Sequence, residues 1–150
     1  MTDFATHFTD FSGDWVQTGP VLLADDGLQT AVLLSLFTDR LAGVDDALPD
    51  AGDTVNRRGW WGDAYADIAG DRIGSRLWLL AREKQTAAVL QRAQSYAREA
   101  LQWLIDDGVA REVTVIADLG RADVLGLHIE IVRSARPVTR YRFEHFWKGL

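Results

Sequence analysis

Few side chains in this 150-residue sequence could do chemistry, and their spacing argues against most reactions. There is no cysteine, which excludes thiolate nucleophiles, zinc–thiolate clusters, redox pairs and a disulfide framework. No Gly-x-Ser-x-Gly elbow is present, and Ser75 has no histidine near it in sequence. The histidines are His7, His128 and His145. The last two fall on neighbouring expected strands and could meet across a sheet, but two ligands without a placed third do not make a metal site. Acids are plentiful, with adjacent pairs at Asp25-Asp26, Asp45-Asp46 and Asp106-Asp107. A glycosidase needs two carboxyls about 5 to 10 Å apart across a cleft, one with its pKa raised by burial. Neighbouring aspartates in turn sequence serve as caps or face water, which leaves Glu83 and Glu99 as the better buried-acid candidates. The stretch Gly70-Asp71-Arg72-Ile73-Gly74-Ser75 precedes a helix but lacks the lysine and the spacing of a phosphate loop. No catalytic residue, metal or cofactor is expected.

What remains is aromatic and arginine chemistry. The sharpest feature is Arg57-Arg58-Gly59-Trp60-Trp61-Gly62-Asp63. Two adjacent indoles cannot easily enter one core from a loop. Either one packs home and the other anchors a partner, or both cover the protein's own core. Of 16 basic residues 14 are arginine, whose planar fork suits interfaces. Residues 1–75 carry 13 acids and 4 bases, whereas residues 76–150 carry 9 acids and 12 bases. The net charge of -6 disfavours binding to duplex nucleic acid. No apolar run approaches the roughly 20 residues of a membrane span. The start, Met1-Thr2-Asp3-Phe4, lacks the basic and apolar regions of a secretory signal. A single domain over 1–150, made and kept in a cytoplasm-like compartment, is the expectation.

The elements that must position these residues follow from periodicity. Residues 1–13 read as an N-terminal arm docking through Phe4, Phe8 and Phe11. Trp15-Val16 and Val21-Leu22-Leu23 flank a turn at Gly19-Pro20 and suggest short strands. Asp25-Asp26-Gly27 caps a helix from Leu28 to Thr38, with Leu28, Ala31, Val32, Ser35 and Leu36 on one face. Residues 41–72 hold six of the glycine and proline breaks and seven aspartates, and read as a long aromatic and acidic loop. Ser75 caps a short apolar helix. A long helix spans 85–107 and stops at Gly108. Its final aspartates oppose the helix dipole, so a base such as Arg111, or a partner's arginine, is expected near them. Residues 112–147 alternate as three strands, 112–117, 124–133 and 138–147. The fold class is α+β, a three-stranded antiparallel C-terminal sheet packed against a long helix and shorter helices. The last strand, if at the edge, offers unpaired backbone with Arg140 and Arg142 on its outer face.

Four segments in this order resemble the Mu-like phage baseplate wedge protein family of contractile tails. They are Leu28-Gln29-Thr30-Ala31-Val32-Leu33-Leu34-Ser35-Leu36-Phe37-Thr38-Asp39, Arg58-Gly59-Trp60-Trp61-Gly62-Asp63, Gly74-Ser75-Arg76-Leu77-Trp78-Leu79-Leu80-Ala81-Arg82-Glu83-Lys84 and Tyr96-Ala97-Arg98-Glu99-Ala100-Leu101-Gln102-Trp103-Leu104. The chain is more distantly similar to the small wedge protein of T-even phages. Those relatives share a glycine-acid-arginine step before a Gly-Ser helix start, here Gly70-Asp71-Arg72 and Gly74-Ser75. They also carry a Glu-Pro-Arg signature after the long helix. This chain departs there, reading Asp106-Asp107-Gly108-Val109-Ala110-Arg111, with Arg111 the candidate to replace that arginine.

The resemblance implies a virion structural protein of the tail baseplate, assembled in the host cytoplasm. It binds larger wedge proteins and gives the sheath protein a platform at strands 124–133 and 138–147. Hub or spike proteins are further possible neighbours, and the helix 85–107 contributes wedge contacts. Neither nucleic acid nor membrane is an expected partner. The partner-binding candidates are Trp60, Trp61, Arg72, Arg111, Arg140, Arg142 and Trp147. Some relatives have carried a lysozyme label, so the alternative is a muralytic hydrolase of a tail acting through Glu83, Glu99 or the aspartates.

Overall fold

The strongest alternation in the sequence builds the largest sheet. In the computed structural model, which describes residues 3–9, 12–25, 28–49, 56–119 and 124–146, the C-terminal third forms a three-stranded antiparallel sheet in the order β7-β8-β9. Its strands are β7 (Glu112–Leu119), β8 (Val124–Val132) and β9 (Thr139–Phe146). Val115 pairs with Ile129 on one side, and Ile129 pairs with Tyr141 on the other. Val115, Leu125, Leu127, Ile129 and Ile131 are all buried on one face, as a period of two requires.

Two helices cover that face. α1 (Gln29–Phe37) buries Val32, Leu33 and Leu36, and α2 (Ala87–Leu101) buries Val89, Ala93, Ala97, Ala100 and Leu101. The small side chains at 93, 97 and 100 let α2 lie close against the sheet. Thr86 caps α2, its side chain accepting from the Val89 N–H at 3.3 Å. The long helix expected over 85–107 is therefore shorter at its start and broken at Gln102. There the Gln102 N–H bonds Glu99 O in the tighter i to i−3 pattern before α3 (Trp103–Asp106) resumes. Gly108, at φ 69, ends the run.

The start of α1 is served by Asp25 of the expected capping segment, although the cap position itself is Leu28. Leu28 sits at the cap position and makes no side-chain cap. Asp25 acts from upstream instead, its Oδ2 accepting the Thr30 N–H at 2.8 Å. Asp26 and Gly27 lie outside the described residues. Between the helices, the expected Ser75-capped helix is a 3₁₀ turn, Leu77–Leu80, with all four side chains buried.

Among the described residues, the N-terminal segment is built of short paired strands. It holds six short strands, β1 (Asp3–Phe4), β2 (Thr6–Thr9), β3 (Ser12–Trp15), β4 (Gln17–Thr18), β5 (Val21–Leu22) and β6 (Ala24–Asp25). They pair as β1 with β6, β2 with β3 and β4 with β5, all antiparallel. The three pairs meet at Ala5, Val16 and Leu23. There Ala5 N–H donates to Leu23 O, Leu23 N–H to Val16 O and Val16 N–H to Ala5 O, a closed ring at 2.8 to 2.9 Å. The ring satisfies the backbone at the junction, so the strands can change partners without leaving polar groups unpaired. Thr30 holds this unit to α1 by donating its hydroxyl to Phe4 O at 2.9 Å. The Phe11 of the expected docking set lies outside the described residues.

Candidate partner-binding surfaces

The loop that follows α1 is fixed by buried polar contacts rather than by secondary structure. Ser75, nearly fully buried, donates its hydroxyl to Leu36 O at 2.5 Å and accepts the Leu77 N–H at 3.2 Å. Thr38–Arg40 run beside Ser75, with Ser75 N–H on Thr38 O and Arg40 N–H on Ser75 O. Gly74 makes this approach possible. It sits at φ 94, and a Cβ there would stand 2.3 Å from Thr38 O. The glycine-serine step thus joins the long loop to the end of α1.

Two arginines hold the loop from either side. Arg76 places its guanidinium between Asp46 and Glu99. Nη1 bonds both Asp46 oxygens at 3.1 and 3.2 Å, and Nη2 bonds Glu99 Oε2 at 2.6 Å. The same group lies over the Tyr96 ring, 4.5 Å from its centroid. Burial works against the Arg76 charge, but the hydrogen bonds to Glu99 and Asp46 and their charges outweigh it, so its pKa is raised. Arg58 bonds Asp39 and lies over Trp78 at 4.7 Å. Trp78 in turn donates its indole N–H to Arg40 O at 2.8 Å. A small core of Ala42, Trp78 and Leu79 sits beneath, joined by Leu48 and Tyr96. The sequence shows these residues but not which of them pair. Arg76 and Asp46 are 30 residues apart, and neither carries a local pattern that names the other.

Trp60 and Trp61 face outward together. Trp60 is 47% exposed and Trp61 75% exposed, with ring centroids 5.4 Å apart. Neither indole is buried, which corrects the expectation that one or both pack into the core. The reason lies next door: Gly62 has no side chain, and a Cβ there would stand 2.2 Å from the Trp60 ring. The ring lies over that backbone, and the 3₁₀ turn Trp61–Tyr65 presents Trp61 and Tyr65 to solvent. Trp61 and Tyr65 meet edge to face at 6.2 Å.

A groove of about 830 Å³ opens between this turn, the outer side of α1 and the end of α2. Leu34 and Trp103 supply helix-side apolar lining, and Trp60 and Tyr65 line the loop side. Trp103 is fixed by donating its indole N–H to Ser35 Oγ at 3.0 Å. Arg72 lines the same groove as Trp60, and Trp61 stands beside Trp60, so the structure brings three of the expected site residues to one region.

The other candidates lie apart. Arg140 and Arg142 stand on β9, an outer strand of the sheet, each paired with an acid: Arg140 with Glu130 at 2.7 Å and Arg142 with Glu144 at 3.3 Å. Arg111 is exposed at the start of β7, where its backbone N–H bonds Val132 O. Asp106, expected to draw a base, instead accepts a hydrogen bond from Gln102 at 2.9 Å. Trp147 lies outside the described residues.

The expected buried acids are not buried. Glu83 is half-buried and pairs with Arg92, and Glu99 is exposed and pairs with Arg76. The strand register does not pair the two histidines: His128 stands opposite Arg142 and His145 opposite Leu125. His128 pairs instead with Asp118 at 2.7 Å. Among the described residues no group of three or more His, Asp or Glu could hold a metal ion, and no helix is long and apolar enough to cross a membrane.

Fold and surfaces together define an α+β protein that presents an outer sheet strand, clustered exposed aromatics and arginines paired with acids. Comparison with known proteins gives the family. The family described as Phage protein GP46 matches residues 28–138, and the chain belongs to it. It is 45% identical over 150 residues, all of both chains, to the baseplate protein gp46 of Escherichia phage Mu. It is 42% identical over 148 residues, 98% of both chains, to the Mu-like prophage FluMu protein gp46 of Haemophilus influenzae. The resemblance to a Mu-like baseplate family, drawn from four ordered segments, is met.

Proposed function

We propose that this chain is a structural component of a contractile-tail baseplate wedge. In that reading it binds larger wedge proteins and offers the sheath protein a platform for assembly. The observation that carries the reading is the end-to-end likeness to a protein named as a baseplate protein. The geometry supports it through β9, an outer strand paired on one side with β8 and without a partner on the other among the described residues. Such an edge presents a row of backbone donors and acceptors to which a neighbour can add a strand. Arg140 and Arg142 border that edge, and Trp60 and Arg72, with Trp61 against Trp60, form a second surface. Arg111 is a third point of contact at the start of β7. The protein acts by surface burial in the virion tail baseplate, after assembly in the host cytoplasm.

Co-expression with the tail proteins of the same particle tests the reading. A tagged chain should recover a large wedge protein and the sheath protein. Recovery of neither, together with a clearing band on peptidoglycan zymography that a Glu99→Gln variant loses, would replace it with the muralytic alternative.

A further inference from the structure

The protein's own ion pairs show what its aromatics accept. Arg58 lies over Trp78 and Arg76 over Tyr96, each with a carboxylate at the guanidinium. Trp60, Trp61 and Tyr65 form an aromatic cluster of the same kind, yet among the described residues no cation lies over any of them. Carboxylates stand ready beside it. Asp63, Asp67 and Asp71 line the groove from the loop side, and Glu99 and Asp106 from the helix side. Against these five acids the groove holds two bases, Arg40 and Arg72. Glu99 is neutralised by Arg76, and the Asp63 carboxylate accepts the Ile73 N–H, but Asp67 and Asp71 carry no ion pair among the described residues. The groove therefore has aromatic faces, an apolar lining at Leu34 and Trp103, and unneutralised negative charge at its rim.

We propose that the groove receives a basic segment of a neighbouring tail protein, in which an arginine or lysine side chain seats against Trp60 and Tyr65 and is held by Asp67 and Asp71. This rests on the reading that the chain works by binding neighbours, and it names the chemistry of one of them. Cation–π attraction strengthens when the ring face is desolvated, which a segment filling the groove would accomplish. Charge complementarity excludes an acidic segment, which would meet the same carboxylates. The volume is that of a cleft for a few side chains, so a short segment fits rather than a folded surface.

The test uses the full chain in two ways. By NMR, the blocked peptide Ac-Leu-Arg-Leu-Leu-Arg-Leu-NH₂ should shift the Trp60 and Trp61 indole signals. Its affinity should fall about fivefold in D67K/D71K and with added salt. The twin peptide with glutamate for arginine should leave the signals in place. Equal shifts from both peptides, or none from either, overturn the proposal. In particle assembly, W60A/W61A and D67K/D71K should both fail while D67E/D71E assembles, and circular dichroism should show all three folded. If W60A/W61A fails and D67K/D71K assembles normally, the groove is an interface without a basic occupant, and the proposal falls while the baseplate reading stands. If both assemble normally, the proposal falls, and the recovery of wedge and sheath proteins decides the baseplate reading on its own.

Discussion

The Tyr141 hydroxyl oxygen accepts the backbone N–H of Leu28 at 2.9 Å, linking the outer strand of the sheet to the start of α1 across 113 residues. The bond satisfies one of the donors that a helix start leaves open, at a helix whose own cap residue supplies none. Tyr141 also stacks on Phe143, which meets Phe37 edge to face at 5.7 Å. β9 is thereby held to the body from its inner face, and among the described residues no strand pairs with its far edge.

Tyr141→Phe keeps the ring and removes the acceptor. It should cost about 1 kcal/mol, the usual price of one unmade hydrogen bond at a half-buried group. Urea denaturation measures it, and no change in the midpoint would show that water replaces the contact without loss.

The same residue makes stability depend on alkaline pH. Burial raises the Tyr141 pKa above its ordinary value of 10.0, and the Leu28 N–H only partly offsets this. In the unfolded chain the phenol loses its proton near pH 10, while in the folded chain it keeps it to higher pH. The folded state then binds more protons, so stability is fully present below pH 10 and falls as pH rises past it. The difference between wild type and Tyr141→Phe, followed from pH 8 to 11, should shrink as pH rises. A constant difference would contradict the shift.

Gly74→Ala should be among the most damaging single changes outside the core. The new Cβ meets Thr38 O at 2.3 Å, and φ 94 is strained for any L side chain. Strain and displacement together should cost about 2 kcal/mol or more. Thermal denaturation should show a drop of several degrees, whereas Gly70→Ala, with open space around it, should be milder.

Arg76→Met should loosen residues 41–49 without unfolding the protein. It removes the group that Asp46 and Glu99 share and leaves the poorly exposed Asp46 carboxylate without its cation. Glu99 is screened by solvent, so the loss is about 1 kcal/mol and arises mainly at Asp46. Limited proteolysis should cut within 41–49 faster than in wild type while the sheet stays protected. An unchanged cleavage pattern would show that the small core under Trp78 suffices to hold the loop.

The parts of this fold that sequence reveals are those with one uninterrupted period. β8 ends within one residue of its expected range because Leu125, Leu127, Ile129 and Ile131 alternate without a break. α1 lies within one residue of its range for the same reason at period 3.6. The six N-terminal strands run for two to four residues each and change partners at Ala5, Val16 and Leu23, so no alternation builds up along them. The break at Gln102 was hidden because the apolar stripe continues through Leu101 and Leu104, both fully buried. At the candidate surfaces, Trp60 and Trp61 announce themselves by type. Their exposure does not, since it depends on Gly62 lying under the Trp60 ring. The groove is illegible in sequence because Leu34, Tyr65 and Trp103 come from three separate elements.

In the proposed reading the chain acts by burying its surfaces against neighbours, with β9 free on one side among the described residues. A cryo-electron microscopy map of the assembled tail base tests it most directly. The expected map shows a strand from an adjacent protein added to the free side of β9, and a neighbour's side chains against Trp60 and Trp61. A map in which β9 and both tryptophans face solvent in the finished particle would contradict it.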